Sequence, residues 1–236
     1  MKKIFITIFI TIIAVMTFSQ IDVFAFNVVS VGGATYDAIT KKPISVYIEI
    51  FDEAGKRLQK VKSNAKDGYY FITGLKPGQT YELRCAEFEY MKQSVIVSTP
   101  ASEKYQEISK DLLFTPKKVG IQIPVDVKLF EFSKSSLKNG TDLFLNQNLE
   151  CLKLNPTVKI KIVSYPDNDN DPAKNAQLTL ERSNAIRNYL IGKGLEQDRV
   201  VTEGASNVDP KNPVPVGKAS KGKRYVGKSY FFIEAY

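Results

Sequence analysis

The sequence predicts two domains, an all-β sandwich followed by an α/β domain of βαβαββ order whose mixed sheet carries its helices on one face. Three observations lead there. Residues 27–115 break into short runs of strand-forming residues parted by turn signals, with no helical period. Beyond Thr115-Pro116-Lys117-Lys118 the pattern changes to helical segments alternating with strand-like runs. The 236 residues are also near the upper size for one core and comfortable as two.

The N-terminus reads as an export leader. Lys2 and Lys3 precede an apolar run from Ile4 to Phe18, then Ser19-Gln20-Ile21-Asp22 and Val23-Phe24-Ala25. The run is shorter than the ~20 residues of a spanning helix, so residues 1–25 are assigned to a signal peptide cut after Ala25. No other stretch is long and apolar enough to span a bilayer, so the mature chain is expected not to be membrane-spanning. Losing Lys2, Lys3 and Asp22 lowers the formal net charge from +8 to +7. That balance suits an anionic partner. Nucleic acid is not expected, because an exported chain rarely meets it and no aromatic-basic recognition motif is present. A carboxylate-rich cell wall suits better.

In the first domain, residues 26–116, the strand candidates are Val28–Tyr36, Ile44–Phe51, Arg57–Ser63, Tyr69–Ile72, Thr80–Ala86, Ser94–Ser98 and Ile108–Phe114. Turn signals at Thr40-Lys41-Lys42-Pro43, Glu53-Ala54-Gly55, Lys66-Asp67-Gly68 and Lys76-Pro77-Gly78 separate several of them. The order of small first strand, Gly33, Asp37, Thr40…Pro43, Asp52…Gly55, Asp67-Gly68-Tyr69-Tyr70-Phe71 and Leu75-Lys76-Pro77-Gly78-Gln79-Thr80-Tyr81 resembles the carboxypeptidase-regulatory-like domain. That resemblance implies a transthyretin- or Ig-like sandwich acting as a spacer or as a module for envelope protein partners.

In the second domain, residues 117–236, Val125–Phe130 alternates as a strand. Gly140–Leu154 is a helix with Leu145, Leu149 and Leu152 on one face, stopped by Asn155-Pro156. Val158–Val163 is a strand. Asp171-Pro172 caps and opens a helix that runs to Leu190 and stops at Gly192. Arg199–Glu203 and Lys228–Ala235 are the last two strands. Cys85 and Cys151 fall in different domains among apolar neighbours and read as buried thiols rather than a disulfide.

Catalysis finds no footing. The chain has no histidine, neither cysteine has a base, and there is no phosphate loop and no Cys/His metal spacing. A non-enzymatic protein without cofactor or metal is expected. Asp167-Asn168-Asp169-Asn170-Asp171 starts like a calcium loop, but Pro172 stands where the loop needs Gly and Leu178 where it needs Glu. A polar turn and a helix cap account for it.

The informative residue is Arg182. It shares a helical stripe with Leu178, Ile186, Tyr189 and Leu190, and a cation on an apolar face calls for an anion. An arginine snorkelling to water is the plainer alternative. Asp167, fifteen residues upstream and just past a strand, can share one pocket with it. Together they would grip a zwitterion, Asp167 taking the amine and Arg182 the carboxylate.

These residues resemble the OmpA C-terminal peptidoglycan-binding family, which also includes Pal and MotB. The matches are Phe130-Glu131-Phe132 with Leu137, Leu152–Val163, Pro166-Asp167, Asn175, Leu178-Thr179-Leu180-Glu181-Arg182-Ser183, Tyr189–Gly194 and Arg199–Gly204. The resemblance implies that Asp167 and Arg182 clamp the free amino-acid end of diaminopimelate in the stem peptide, with Asn175 lining the pocket. Two family motifs depart. Gly-His-Thr is Ser164-Tyr165-Pro166 here, and Asn-Arg-Arg-Val is Gly227-Lys228-Ser229-Tyr230. A pocket arginine is thus replaced by Lys228, substituted by Arg224, or lost. The expected protein is periplasmic, with or without outer-membrane association, and ties an envelope complex or the outer membrane of a Gram-negative cell to peptidoglycan. The alternative is a protein–protein adaptor of a secretion or surface machine whose pocket no longer binds wall.

Overall fold

The computed structural model describes residues 28–123, 125, 127–215 and 224–236. The leader lies outside the described residues. No helix among the described residues is long and apolar enough to cross a membrane.

The N-terminal region is all-β with two sheets. One contains β1 (Val29–Asp37), β4 (Tyr69–Leu75), β7 (Gln106–Ser109) and β8 (Leu112–Phe114); the other runs β3 (Arg57–Lys62), β2 (Tyr47–Phe51), β5 (Thr80–Cys85), β6 (Ser94–Ser98). Alternation decides which faces meet. Ile48 and Ile50, Tyr81 and Leu83, Tyr70 and Ile72, and Val29 and Val31 point inward and form one apolar core. Turns fall where the sequence places them. The Asp37 carboxylate accepts from the Ile39 and Thr40 amides, both at 2.8 Å, and that of Asp52 from the Lys56 amide at 2.9 Å.

The strand expected over Ile108–Phe114 is two strands, and it begins earlier, at Gln106. Both pieces pair with β1 in parallel and in the same register, interrupted at Lys110-Asp111. There the Asp111 carboxylate, rather than a main-chain carbonyl, accepts the Ala34 amide at 2.9 Å. Gly33 permits this close approach, since a Cβ on it would overlap the Lys110 carbonyl.

The C-terminal region is α/β with a mixed sheet ordered β11-β10-β12-β9. β10 (Lys159–Ser164) is parallel to β11 (Val200–Gly204) and antiparallel to β12 (Ser229–Ala235), which is antiparallel to the two-residue β9 (Gln122–Ile123). Helices α1 (Asp142–Leu154) and α2 (Pro172–Gly192) share one apolar core with the sheet: Leu145, Leu149, Leu152, Ile186 and Leu190 pack with Ile160, Ile162, Phe231 and Ile233. A short 3₁₀ turn, Gln197–Arg199, precedes β11.

The expected first strand over Val125–Phe130 is a correction. Pairing ends at Ile123, just before Pro124, a residue with no N–H to give a ladder. The described residues from Val125 to Phe130 form no strand, yet Leu129 and Phe130 are buried, and Phe130 makes a single bridge to Leu137. The apolar alternation thus reports contact with the core without a ladder. Both cysteines are free, Cys85 buried and Cys151 partly so. Burial raises their thiols, to about 11 and about 12, so both stay protonated at neutral pH.

Candidate functional site

The site forms where β10 ends. Ile160 and Ile162 point into the core, and so does Ser164, where the inward row turns polar. The chain then leaves the sheet through Tyr165 and Pro166 to Asp167. Asp171 caps α2, its carboxylate accepting the Lys174 amide at 3.1 Å, and Pro172 follows in the first turn. Two other oxygens of this acidic stretch are engaged as well: Asn168 Oδ1 accepts from Asn170 N within a turn, and Asp169 Oδ1 accepts from Val208 N in the segment after β11.

The buried face of α2 changes character along its length. Ile186 and Leu190 are apolar, whereas Asn175, Thr179, Arg182 and Ser183 are buried and polar. Thr179 Oγ1 donates to the Ala205 carbonyl at 2.8 Å. Ser183 Oγ lies 2.9 Å from Ser164 Oγ, which lies 2.7 Å from Ser229 Oγ, so a hydroxyl chain joins α2, β10 and β12. Such a layer is stable because its polar atoms find partners.

Arg182 is 0% exposed and Asp167 4%. Their side chains meet fork to fork, Nη1 to Oδ1 at 2.8 Å and Nη2 to Oδ2 at 3.0 Å. Arg182 also donates from Nε to the Lys134 carbonyl (2.9 Å), from Nη2 to that of Glu131 (3.1 Å) and from Nη1 to that of Tyr165 (3.4 Å). A guanidinium has five N–H donors, and these contacts use them all. Each Asp167 oxygen accepts one further amide, Oδ1 from Gly227 (2.8 Å) and Oδ2 from Ser133 (2.7 Å). Gly227 is needed for this approach, because a Cβ there would overlap the Tyr165 carbonyl. The Phe130 ring flanks the guanidinium, 5.2 Å from its carbon to the ring centroid.

The structure therefore brings Asp167 and Arg182 together, and they hold each other. Asn175, 6% exposed, lies close in the chain path but is engaged elsewhere, donating to the Asn168 carbonyl at 2.6 Å and the Ser206 carbonyl at 3.1 Å. Lys228 is exposed and lines, with Lys128, Phe130, Val226 and Gly227, a neighbouring cleft of about 260 Å³. Arg224 stacks on Phe132 at 5.0 Å, beside the Ser133 amide that caps Asp167. Of the two candidate cations, Arg224 thus sits against the loop covering the pair and Lys228 against the cleft.

Sequence reasoning missed the covering loop 131–134 and the polar layer. The layer had a signal, because Asn175, Thr179 and Ser183 recur every four residues beside the Leu178–Arg182–Ile186 stripe. The loop had none, since it works through main-chain atoms. Chemically the arrangement suits charge pairing. Among the described residues no group of three His, Cys, Asp or Glu could hold a metal ion.

The OmpA family model matches residues 129–221. A photosystem I P700 chlorophyll a apoprotein A2 of Gloeobacter violaceus is 28% identical over 98 residues, 42% of this chain and 11% of that protein. The peptidoglycan-binding protein ArfA of Mycobacterium tuberculosis is 31% identical over 77 residues, 32% of this chain and 24% of that protein. This chain thus spans a quarter or less of the length of either curated relative. In structure, the peptidoglycan-associated lipoprotein of Burkholderia pseudomallei aligns over 44% of this chain and 86% of its own at 21% identity, with a TM-score of 0.36. With residues 129–221 matched, the C-terminal half of the chain carries an OmpA-family domain.

Proposed function

We propose that this protein binds peptidoglycan non-covalently in a bacterial cell envelope, through the OmpA-family domain. The finer reading places the zwitterionic end of diaminopimelate, from the wall's stem peptide, at Asp167 and Arg182. The chain would thereby tether an envelope complex or the outer membrane to the wall. One observation carries this reading, the fully buried Asp167–Arg182 pair at the end of β10. Desolvating two charges costs several kcal/mol per ion, and apolar residues of similar volume commonly serve stability as well or better. A pair retained at a strand end, beside an OmpA match and a relative named for binding peptidoglycan, is better explained by a ligand.

Binding works as an exchange. The ligand carboxylate takes the place of the Asp167 carboxylate on Arg182, and the ligand ammonium takes the place of Arg182 at Asp167. Two ion pairs replace one, so no buried charge is left unpaired. The loop 131–134 must lift, since the Glu131 and Lys134 carbonyls occupy Arg182 donors in the closed arrangement. The units proposed are residues 26–116 for the sandwich, which engages envelope protein partners, and 117–236 for the wall-binding domain.

The test is co-sedimentation with purified sacculi. The protein should pellet with them and be released by a stem peptide containing diaminopimelate but not by one containing L-lysine at that position, whose side chain ends in an ammonium with no carboxylate. Protein that stays in the supernatant contradicts the reading. The completeness with which Arg182 and Asp167 satisfy each other favours a second reading, an adaptor whose pocket has become structural. In that case crosslinking in the native envelope recovers a protein partner while sacculus binding is absent.

A further inference from the structure

The loop between β5 and β6 belongs to the sandwich in sequence and to the other domain in packing. Met91 is 0% exposed, and it packs in the apolar core of the α/β domain. Its neighbour Lys92 is held by Asn155 at the end of α1. The Lys92 amide donates to Asn155 Oδ1 at 3.0 Å, and Asn155 Nδ2 donates to the Lys92 carbonyl at 2.9 Å. Phe88 stands edge-on to Tyr236 with ring centroids 6.4 Å apart, and Lys117 Nζ lies 3.7 Å from the Phe88 centroid. The linker is pinned as well, its Lys117 amide donating to the Glu89 carbonyl at 2.7 Å. Apolar, amide and cation–aromatic contacts thus fasten one loop of the sandwich to one end of the second domain.

Strand direction says which end. Along the β10–β12 ladder, Lys159 pairs with Ala235 at one end and Ser164 with Ser229 at the other. The clasp contacts Asn155 and Tyr236, next to the first end, whereas Asp167 follows Ser164 at the second. In the sandwich, β1 enters at Val29, paired with Leu75 and Gln106, and finishes at Asp37, paired with Phe114, which leads into the linker. Chain entry and the Asp167–Arg182 pair therefore lie at opposite poles. β1 and β10 alone span roughly 30 Å and 20 Å at ~3.3 Å per residue.

We propose that the clasp of Phe88, Met91, Lys92, Lys117, Asn155 and Tyr236 locks the two domains into one strut, so that whatever holds residue 28 and whatever occupies the Asp167 pole are kept at a fixed distance. That the far pole contacts peptidoglycan rests on the function proposed above; the rigidity does not. A flexible pair of domains works as a loose leash, whereas a locked pair sets a spacing.

Small-angle X-ray scattering of the purified chain tests this. The described residues should behave as a single elongated body with one interdomain orientation. Asn155→Ala combined with Phe88→Ala should broaden the distance distribution, and Met91→Asp should broaden it further. Phe88 is 70% exposed, so the double variant keeps the test open if Met91→Asp fails to fold. Sacculus binding should be unchanged in the double variant. A wild-type curve that demands many interdomain orientations, or an Asn155→Ala/Phe88→Ala curve identical to wild type, overturns the strut. Failure of the wild type to bind sacculi, with scattering still that of one rigid body, overturns the proposed function and leaves the strut standing.

Discussion

Arg182 and Arg199 are both buried in the α/β domain, at 0% and 6% exposure, and their surroundings differ. Arg199 faces carbonyls. Its Nε donates to Val158 O at 3.0 Å, and its Nη2 to Leu152 O and Asn155 O, both at 2.8 Å. Those last two carbonyls belong to the end of α1, where helical C=O groups lack intrahelical partners and partial negative charge collects. Its carboxylate partner, Glu196, is 64% exposed in its side chain, so little charge has been desolvated to answer it. Arg182 instead meets a carboxylate as buried as itself. A helix end explains Arg199 completely. No helix end answers Arg182 in this way, and the function proposed above assigns its buried carboxylate partner to ligand binding.

The largest effect expected from breaking this comparison is at Arg182. Arg182→Ala leaves Asp167 buried without a counter-charge and should cost about 3–5 kcal/mol of stability in a denaturant titration. Asp167→Ala should cost a similar amount, and the double variant well under the sum, because the two act as one unit. Additive losses would show that the pair is not coupled. Arg199→Ala comes next. It removes three hydrogen bonds to carbonyls, two of which keep a main-chain donor (Asn155 N on Leu152 O, Val158 N on Asn155 O), and leaves no buried charge. About 1–3 kcal/mol is therefore expected, with sacculus binding retained by the folded variant. Loss of binding there would erase the distinction between the two arginines.

Asn175→Ala should have a smaller effect, about 1 kcal/mol. It frees the Asn168 and Ser206 carbonyls, and amide exchange should quicken first around residues 168–170 and 205–207. The smallest effect lies in the sandwich. The Arg84 hydrogen bond, with help from Ser94 and against some desolvation, holds the Glu82 carboxyl below its ordinary 4.5. Its contribution is therefore present above the unfolded value near 4.5 and disappears as pH falls through the lower folded value. Glu82→Gln should flatten that acid limb of the sandwich's stability slightly. An unchanged acid limb would show that other carboxylates set it.

Much of this architecture was legible because burial imposes a period. Leu145, Leu149 and Leu152 at helical spacing, and the alternation through Ile48 and Ile50, identified the elements and their inner faces. The fifteen-residue interval from Asp167 to Arg182 was legible too, because a cation inside an apolar stripe needs an anion. What escaped was set by main-chain atoms. The interruption at Lys110-Asp111, the loop 131–134 and the Gly227 amide on Asp167 have no side-chain period to read. Val125–Phe130 misled because Leu129 and Phe130 touch the core without pairing. Met91 escaped for a different reason, since its apolar partners come from the other domain.

Arg182→Lys separates the ligand account from a structural one most directly. It keeps a positive charge opposite Asp167 but loses the planar fork that grips a second carboxylate. Calorimetric titration with a diaminopimelate-containing muropeptide should show wild type and Arg199→Lys binding alike. The Arg182→Lys protein, folded by circular dichroism, should bind about 30-fold more weakly or worse, as expected when one member of a buried charge pair is compromised by about 2 kcal/mol. Equal affinity in wild type and Arg182→Lys would contradict the account and assign the pair to structure alone.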